Sequence, residues 1–570
     1  MAITTKSRFL YPLKPGPFRV LKFLPYLLPL LFFLLFYFYP LGAIFRLSFA
    51  PEGALDLTAL RKLAANPYYL RTLWFTFWQA ALSTGLTLLL ALPGAYIFAR
   101  YHFWGQSVLK AFSTLPFVLP TVVVANAFNA LLGPNGLLNR WLVDLFHLAR
   151  PPIQLQHTIW LILLAHLFYN YSLVLRLVSH FWQNLNPDLA EAAQMLGASP
   201  RRAFWRITFP LLKPAIIAAA MLVFIFCFTS FGVILILGGP RYATLEVEIY
   251  RQAANLFNLP LAAALSLTQI LFTFALMWFY THSQARLAVP LKLKSTRSNQ
   301  RPVKTLRDRL VVGGNLALMF FLLGMPLLAL LLSSFSGRAG WSLRFYQELF
   351  INRRDSLFFV PPIEAVLNSI GFALATVALS TGLGFLSAAL LAPKERYWAR
   401  WLDPLLMLPL ATSAVTLGFG FIITFNKPPF NLRSSLALVV IAHTLIGLPF
   451  VIRSLLPSMR RINPRLREAA ALLGAPPSRV WRTVDWPLLR PAALVGAVFA
   501  FTISMGEFGA TVFIARPQTP TLPVAIFRFL GQPGALNFGQ AMAMSVILML
   551  VCALSFLVIE RFRLGDEGEF

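Results

Sequence analysis

The side chains most able to do chemistry here are a few polar residues inside apolar stretches long enough to cross a membrane. Glu507 is an acid within such a stretch, and His166 and His443 occupy matching positions in two others. Ionisable groups at membrane depth usually face a cavity or a polar partner. We therefore expect Glu507 either to line a solute pathway or to form a structural hydrogen bond with a neighbouring helix. Paired histidines can relay protons or bind a metal, but their repetition favours a role in helix packing.

The sequence contains none of the catalytic patterns that would make the chain an enzyme. It has no G-x-x-x-x-G-K-[ST] phosphate-binding loop, so any ATP hydrolysis belongs to another subunit. The two cysteines, Cys227 and Cys552, lie inside apolar stretches and provide neither a disulfide framework nor metal-ligand spacing. We predict a transport protein rather than an enzyme, with no cofactor and no metal site.

Two similar segments, residues 186–214 and 463–491, form a second candidate feature. Each begins with Asn-Pro, continues through an Ala-rich stretch to a Gly, and ends after a further short stretch at Pro. Asn is a good N-cap, Pro suits the first helical turn, and Gly ends helices with positive φ. The pattern predicts two short helices joined at a glycine corner. The shared positions are Glu191, Ala192, Ala193, Gly197 and Pro210 in the first segment, and Glu468, Ala469, Ala470, Gly474 and Pro487 in the second.

These segments resemble the EAA loop of ATP-binding cassette (ABC) importer permeases. In that family a Gly follows six residues after the Glu, and an aliphatic residue, here Ile207 or Val484, precedes the Pro by three. Phe209 and Trp486 replace the usual Leu before the Pro. The resemblance implies that the shared residues are ATPase-coupling positions, and that each short helix docks on a nucleotide-binding subunit. The implied partners are two copies of a cytoplasmic ABC ATPase and an extracytoplasmic solute-binding protein.

The resemblance covers nearly the whole chain and is greatest to the fused branch that includes thiamine and iron(III) permeases. Gly238-Gly239-Pro240 and the stretch from Ser504 to Gly509 look similar to the thiamine branch. Glu507-Phe508-Gly509 also occurs in sulfate and molybdate permeases, so these motifs indicate the wider group rather than the solute. The expected cargo is a small molecule or ion. Iron(III) and thiamine are the main candidates, and sulfate, molybdate and polyamines are the alternatives.

The composition is that of an integral membrane protein. Hydrophobic residues make up 58% of the 570 residues, charged residues 12%, and the mean hydropathy is +0.70, whereas soluble domains carry roughly a quarter charged residues. Segments of about 20 apolar residues can cross the bilayer as helices. The twelve that qualify lie at 23–48, 72–98, 108–132, 156–180, 212–237, 262–283, 310–335, 364–392, 402–425, 434–455, 490–514 and 538–560.

The distribution of basic residues indicates the orientation. Residues 1–22 hold five basic and no acidic residues, and residues 286–309 hold eight basic residues against Asp308. Such clusters are typical of cytoplasmic segments and can contact anionic lipid, so the net charge of +29 indicates topology and not nucleic-acid binding. We predict a cell-membrane protein with both termini in the cytoplasm. Its expected parts are a basic N-terminus 1–22, permease domains 23–285 and 310–560, a cytoplasmic linker 286–309 and a tail 561–570.

The second half repeats the first at an offset of 277 residues. Glu191 then aligns with Glu468, and His166 with His443. The predicted fold is therefore all-α, with twelve transmembrane helices arranged as two parallel six-helix ABC importer permease domains and a pathway between them. The halves differ where Ser230 aligns with Glu507, so we expect the pathway to include Ser230, Phe231, Glu507 and Phe508.

The function that we predict is ATP-driven import by alternating access. An ion-gradient-driven secondary transporter also fits twelve spans and parallel repeats, but gives no reason for paired EAA loops. A polytopic membrane enzyme would need acidic or metal-binding clusters, and the chain has only 20 acidic residues, which form no such cluster.

Overall fold

The computed structural model describes residues 18–186, 188–287, 300–337, 340–352, 360–393, 397–426, 428, 430–432 and 435–566. Most of the basic N-terminus, Pro187, half of the linker 286–309 and the end of the tail lie outside the described residues, and the expectations placed on them are not tested.

The described chain is almost wholly helical. The first half contains α1 (Phe18–Phe33), α2 (Tyr39–Phe49), α3 (Thr58–Ala65), α4 (Pro67–Arg100), α5 (Gln106–Val118), α6 (Thr121–Leu132), α7 (Leu137–Phe146), α8 (Ile159–Gln183), α9 (Asp188–Met195), α10 (Pro200–Ala203), α11 (Phe209–Phe228), α12 (Gly232–Leu237), α13 (Leu245–Tyr250) and α14 (Leu259–Leu287). The second half contains α15 (Leu306–Met319), α16 (Met325–Phe335), α17 (Arg344–Gln347), α18 (Pro362–Leu391), α19 (Tyr397–Ala411), α20 (Ala414–Thr424), α21 (Ala437–Arg461), α22 (Pro464–Leu472), α23 (Pro477–Val480), α24 (Trp486–Gly506), α25 (Thr511–Ile514), α26 (Leu522–Leu530) and α27 (Ala535–Asp566). Two-residue strands form a parallel pair, β1 (Tyr101–His102) with β2 (Arg301–Pro302), and an antiparallel pair, β3 (Ser336–Gly337) with β4 (Gly340–Trp341).

Within the described residues, eleven helices are long and apolar enough to cross a membrane, or twelve if α19 and α20 count as one bent span. This confirms the predicted all-α membrane fold. The predicted spans agree with these helices to within several residues, except for the third and fifth spans of each half.

The predicted third span of each half is broken rather than continuous, and in the first half the candidate span is Thr121–Phe146, which begins with α6. The predicted span 108–132 is two helices, α5 and α6, that meet at Pro120, and the predicted span 402–425 is α19 and α20, which meet at an angle of 94°. Proline cannot donate a helical hydrogen bond and clashes with the preceding turn. In the second half Ser413 takes the break position and caps α20, accepting a hydrogen bond from the Val415 amide at 3.1 Å.

The predicted fifth spans 212–237 and 490–514 are wrong at their C-terminal ends. The helices stop at Phe228 and Gly506, and the short helices α12 and α25 follow after a break. Both breaks fall on the residues at which we expected the pathway.

The first span of each half packs against the opposite half. Tyr37, between α1 and α2, shares a 2.5 Å hydrogen bond with Thr412, and the Phe36 ring packs on Phe425 with its centroid 5.6 Å away. In return, α16 of the second half packs on α6 of the first. Exchange of the first spans joins the halves through buried apolar surface, in addition to the boundary between their cores.

The described C-terminal end of the linker contacts the first half beside β1. The Arg301 guanidinium lies 4.6 Å from the Tyr101 ring centroid and donates to its hydroxyl, which in turn donates to Asp308 at 2.9 Å. Burial, with the hydrogen bond to Asp308, raises the pKa of Tyr101, so its phenol stays protonated. The linker therefore ends in a fixed contact that ties the start of α15 to the end of α4.

Candidate coupling loops and gate

Each EAA segment folds as a short helix, a glycine corner and a second helix. The Asn186 side chain accepts a hydrogen bond from the Asp188 amide at 3.2 Å, and Asn463 accepts one from the Arg465 amide at 3.1 Å. These caps satisfy amides that a helix N-terminus leaves unpaired, so α9 and α22 begin where the sequence predicts.

The corner glycines adopt a backbone conformation that other residues rarely take. Gly197 has φ +89° and Gly474 has φ +79°. In the first loop the Ala198 amide donates to the Ala193 carbonyl at 3.0 Å, and the second loop repeats this bond at 3.1 Å, which is the hydrogen bond of a Schellman cap. A Cβ at either glycine would meet nothing within 4 Å. The glycine is therefore needed for its positive φ and not for space.

The two EAA segments, which we call the candidate coupling loops, present exposed apolar side chains at repeat-equivalent positions. Met195 and Leu196 are each 90% exposed, and their counterparts Leu472 and Leu473 are 88% and 89% exposed. Glu191, Glu468 and the Ala after each are exposed as well. Apolar residues this exposed, at matching positions in both halves, indicate a surface that a partner covers.

The second loop contains an ion pair that the aligned residues of the first loop cannot form. In the second loop Arg467 donates to Asp485 at 2.6 Å, which fixes α22 to the start of the following helix. The aligned residues in the first loop are Ala190 and Thr208, which cannot form an ion pair. The second coupling loop is therefore held by a contact that the first lacks.

The sequence predicts that the second helix of each loop ends near Pro210 or Pro487. This prediction is wrong, because the helix continues into the fifth span. A π-helical turn, Phe204–Thr208 in one half and Trp481–Asp485 in the other, immediately precedes the helix that carries the proline. A wider turn relieves the clash between a proline ring and the carbonyl four residues earlier. The resulting helices run over Pro200–Phe228 and Pro477–Gly506, 29 and 30 residues.

Where these helices stop, aromatic rings from the two halves meet. The rings of Phe231 and Phe508, which are repeat-equivalent, stack with centroids 5.6 Å apart. Tyr250 packs edge-on against Phe231 at 5.6 Å, and its counterpart Phe527 packs against Phe508 at 5.3 Å. Phe231 and Phe508 are buried. These four rings, which we call the aromatic tetrad, form a closed apolar contact at the boundary between the halves.

Sequence reasoning found Phe231 and Phe508 but missed Tyr250 and Phe527. The 277-residue register aligns these two aromatic residues, and that alignment was the available signal.

Each break is held by the histidine of its own half. His166 bonds to Ser83 through Nδ1 and to Ser230 through Nε2, both at 2.9 Å. The structure thus brings His166 into contact with the second span and with the residue before Phe231. Both ring nitrogens are occupied within the protein, which favours the expected packing role.

His443 makes the equivalent contacts in the second half. Its Nδ1 bonds to Ser504 at 2.7 Å and its Nε2 to Thr511 at 2.8 Å. Nε2 also lies 3.5 Å from the Glu507 carboxylate.

Glu507 caps the short helix that follows the second break. Its two oxygens accept hydrogen bonds from the amides of Ala510 at 2.7 Å and Thr511 at 2.9 Å, and the Thr511 hydroxyl also bonds to it. Ser230, its counterpart, has only a hydroxyl to offer. Because both carboxylate oxygens are engaged by the protein, the geometry favours the structural role of Glu507 over direct contact with a solute.

Glycines beside the tetrad allow the broken third spans to approach closely. A Cβ on Gly232 would lie 2.3 Å from Thr121 Oγ1, and one on the equivalent Gly509 would lie 3.0 Å from the Ala414 side chain. Thr121 and Ala414 are the first residues of α6 and α20. The third-span breaks and the fifth-span breaks are therefore packed against each other in both halves.

A buried carboxylate links the halves next to this site. Glu246 is fully buried in α13 and accepts hydrogen bonds from Gln269 at 3.0 Å and, across the boundary, from Ser413 at 2.5 Å. Its counterpart in the second half is Pro523, so this contact has no symmetric partner. Sequence reasoning missed it, because nothing in the pattern places Ser413 opposite α13.

Comparison with known proteins identifies the family of this arrangement. The sequence model of the family described as "Binding-protein-dependent transport system inner membrane component" matches residues 91–289 and 380–563, more than half of the chain. The chain belongs to this family. It contains the family's permease domain twice, and it is a multi-pass inner-membrane transport subunit, as the sequence predicts.

Curated members of the family are similar over nearly the whole chain. The thiamine transport system permease protein ThiP of Brucella abortus (strain 2308) is 27% identical over 547 residues, covering 93% of this chain and 94% of the relative. The ThiP of Haemophilus influenzae is 27% identical over 543 residues, covering 94% and 95%. The ThiP of Escherichia coli (strain K12) is 26% identical over 508 residues, covering 87% and 89%.

A solved structure described as a bacterial ABC transporter involved in the import of the acidic polysaccharide alginate matches 47% of this chain and 96% of its own. The two are 19% identical, with a TM-score of 0.40.

Proposed function

We propose that this chain is the permease of an ABC importer that carries thiamine into the cytoplasm, powered by two separate ATPase subunits and supplied by a solute-binding protein. One observation carries the mechanism: each coupling loop is continuous with the helix that stops at the aromatic tetrad. In this proposal the two permease domains are residues 23–285 and 310–560.

In the proposed mechanism each of these helices acts as a rigid lever between a coupling loop and the tetrad. A helix of 29 or 30 residues spans about 45 Å at 1.5 Å per residue, which is long enough for the coupling loops and the tetrad to lie on opposite sides of the membrane. ATP binding closes the ATPase dimer and moves both loops. The levers then separate Phe231 from Phe508 and open the pathway towards the extracytoplasmic face.

The Schellman corners and the exposed apolar pairs support this coupling role. Rigid corners at Gly197 and Gly474 transmit a displacement of the short helix to the lever without bending. The exposed apolar pairs, Met195 with Leu196 and Leu472 with Leu473, supply apolar surface that becomes buried when an ATPase docks. The loops and both termini are cytoplasmic in this scheme.

The fused relatives favour thiamine over iron(III), since three curated permeases that match along most of this chain are thiamine permeases. The test is uptake of labelled thiamine by proteoliposomes that contain the permease, its genomic neighbour ATPase and the neighbouring binding protein. ATP-dependent uptake of thiamine, and not of iron(III), is the expected result. Uptake of iron(III) alone would assign the other solute.

Uptake by the same vesicles distinguishes ATP-driven import from ion-gradient-driven transport. Uptake should persist when ionophores collapse all ion gradients and should stop when ATP is omitted. Uptake that follows the gradient without ATP contradicts the proposal.

A further inference from the structure

A cavity lies at one end of two membrane spans, and no residue of the aromatic tetrad lines it. Its volume is about 1130 Å³. Ser333 and Ser336 contribute from the end of α16, and residues 535–540 contribute from the start of α27. Asn135 and Arg140 from the first half complete the wall. If the coupling loops are cytoplasmic, as in the proposed function on which this inference rests, the cavity opens at the extracytoplasmic surface.

The lining combines cationic and amide donors. Arg140 and Arg344 supply guanidinium groups, and Asn135, Gln532 and Asn537 supply amides, with no acidic residue among the described lining residues. Arg344 is partly compensated, since its Nε lies 3.9 Å from the carboxylate of Glu348. Arg140 is exposed on α7. Guanidinium groups form the strongest hydrogen bonds to phosphate oxygens.

Exposed tryptophans on two sides indicate the depth of this cavity in the bilayer. Trp141, next to Arg140, is 59% exposed, and Trp341, on β4 between Ser336 and Arg344, is 74% exposed. On α7, Trp141 and Leu145 lie one helical turn apart, and Leu145 is 54% exposed. Tryptophan concentrates at the membrane–water interface. The cavity therefore sits at the level of the lipid headgroups.

We propose that this cavity binds the phosphodiester headgroup of an anionic phospholipid in the extracytoplasmic leaflet. Arg140 and Arg344 pair with the phosphate, the amides bond to the polar headgroup, and the acyl chains lie along the exposed face of α7. A bound lipid would contact both halves, because Arg140 belongs to the first and Arg344 to the second. Its position at the span ends, flanked by tryptophans, favours a lipid over the docked binding protein, which approaches from the aqueous side.

The test is lipid binding by the purified full-length chain. The protein is delipidated in detergent, titrated with phosphatidylglycerol or with phosphatidylcholine, and examined by native mass spectrometry. Phosphatidylglycerol should bind preferentially, Arg140→Gln should weaken it about tenfold, as expected for loss of a charged hydrogen bond, and Arg140→Lys should retain most of the affinity. Arg61→Gln, which removes an exposed arginine on α3 of the same face, is the matched control and should have no effect. Arg140 is exposed, so its replacement should leave the gel-filtration profile unchanged.

Any of four results overturns the proposal. Equal binding of the two lipids, or an equal loss in Arg61→Gln, removes the headgroup site. Displacement of the lipid by millimolar inorganic phosphate assigns a free-anion site. High-yield cross-linking of the binding protein to the Asn537→Cys variant assigns a docking site instead. Because lipid binding is measured without ATP, thiamine or partners, its failure is distinguishable from failure of the transport function.

Discussion

The rings of Phe231 and Phe508 stack 5.6 Å apart across the boundary between the two halves. The 277-residue register makes them the same residue in two copies of one domain, so the contact is one position meeting its own repeat. In the proposed mechanism, this contact closes the pathway between the halves. The same mechanism opens it by moving apart the helix ends that precede the two phenylalanines.

Removing the stacked rings should make the permease leaky. An aromatic pair is worth about 0.5–1.5 kcal/mol beyond its buried area, so the double variant Phe231→Ala/Phe508→Ala should favour the open pathway. We expect thiamine to leave preloaded proteoliposomes without ATP. Phe450→Ala, which removes a ring stacked on Phe499 inside one half, is the control and should not leak. Tight vesicles with the double variant would rule out the tetrad as the gate.

The corner glycines should tolerate substitution according to conformation and not size. Positive φ costs an ordinary L-residue about 1–2 kcal/mol, whereas Asn adopts it more readily. Gly197→Ala and Gly474→Ala should therefore weaken ATPase co-purification more than the bulkier Gly197→Asn and Gly474→Asn. Gly382→Ala serves as the control, since its Cβ would also meet open space but no positive φ is involved. If Asn is as harmful as Ala, the conformational account fails.

The exposed apolar pairs should matter for the partner and not for the permease alone. Leu472→Ser/Leu473→Ser should abolish ATPase binding, while the melting temperature of the isolated permease stays unchanged, as is usual for exposed positions. Leu55→Ser, at a residue 78% exposed elsewhere, should leave ATPase binding intact. Normal complex formation by the Leu472→Ser/Leu473→Ser variant would remove these side chains from the coupling surface.

Glu507→Gln should destabilise the protein without changing solute preference. An amide group has one acceptor oxygen, so one of the two backbone bonds to Ala510 and Thr511 is lost, which costs about 1–3 kcal/mol in a buried site. We expect a lower melting temperature and an unchanged KM for thiamine. Ser230→Ala, at the equivalent position, should have a smaller effect on stability. A raised KM with unchanged melting would show instead that Glu507 contacts the solute.

Loss of the hydrogen bond between Ser413 and Glu246, which crosses the boundary between the halves, should lower the stability of the protein. Ser413→Ala leaves a buried carboxylate oxygen without its partner, at a cost of about 1–3 kcal/mol. The melting temperature should fall more than in Ser435→Ala, which removes an exposed cap at the start of α21. Equal shifts in the two variants would mean that the Glu246 contact adds nothing beyond a cap.

The sequence allowed the spans, the EAA helices and the glycine corners to be predicted, because each depends on local composition or on a single residue's conformational preference. The breaks after Phe228 and Gly506 could not be predicted in this way. Hydropathy is averaged over a window of the sequence, so the few polar residues and glycines at each break do not interrupt an apolar segment. Whether the hydrogen-bond ladder continues through them depends on His166, His443 and Glu507 meeting partners on other spans.

The tetrad and the exchanged first spans were missed for a related reason. Phe231 was expected in the pathway, but its contact with Phe508 depends on how the halves dock. Similarly, Phe36 is apolar whichever half it packs on, so the pattern of α1 and α2 does not distinguish the neighbour. Contacts between distant parts of the chain leave little trace in the local sequence of a membrane protein.

The exchange of first spans also sets an order for biosynthesis. Tyr37 and its partner Thr412 are separated by 375 residues. At a translation rate of about 5–20 residues per second, Tyr37 leaves the ribosome roughly 20–75 s before Thr412. During that time the first helix is in the bilayer with lipid, or the insertion machinery, in place of its final neighbour. The nascent first half is therefore an incomplete folding unit, and a truncation or pause before α20 would expose it to quality-control proteolysis.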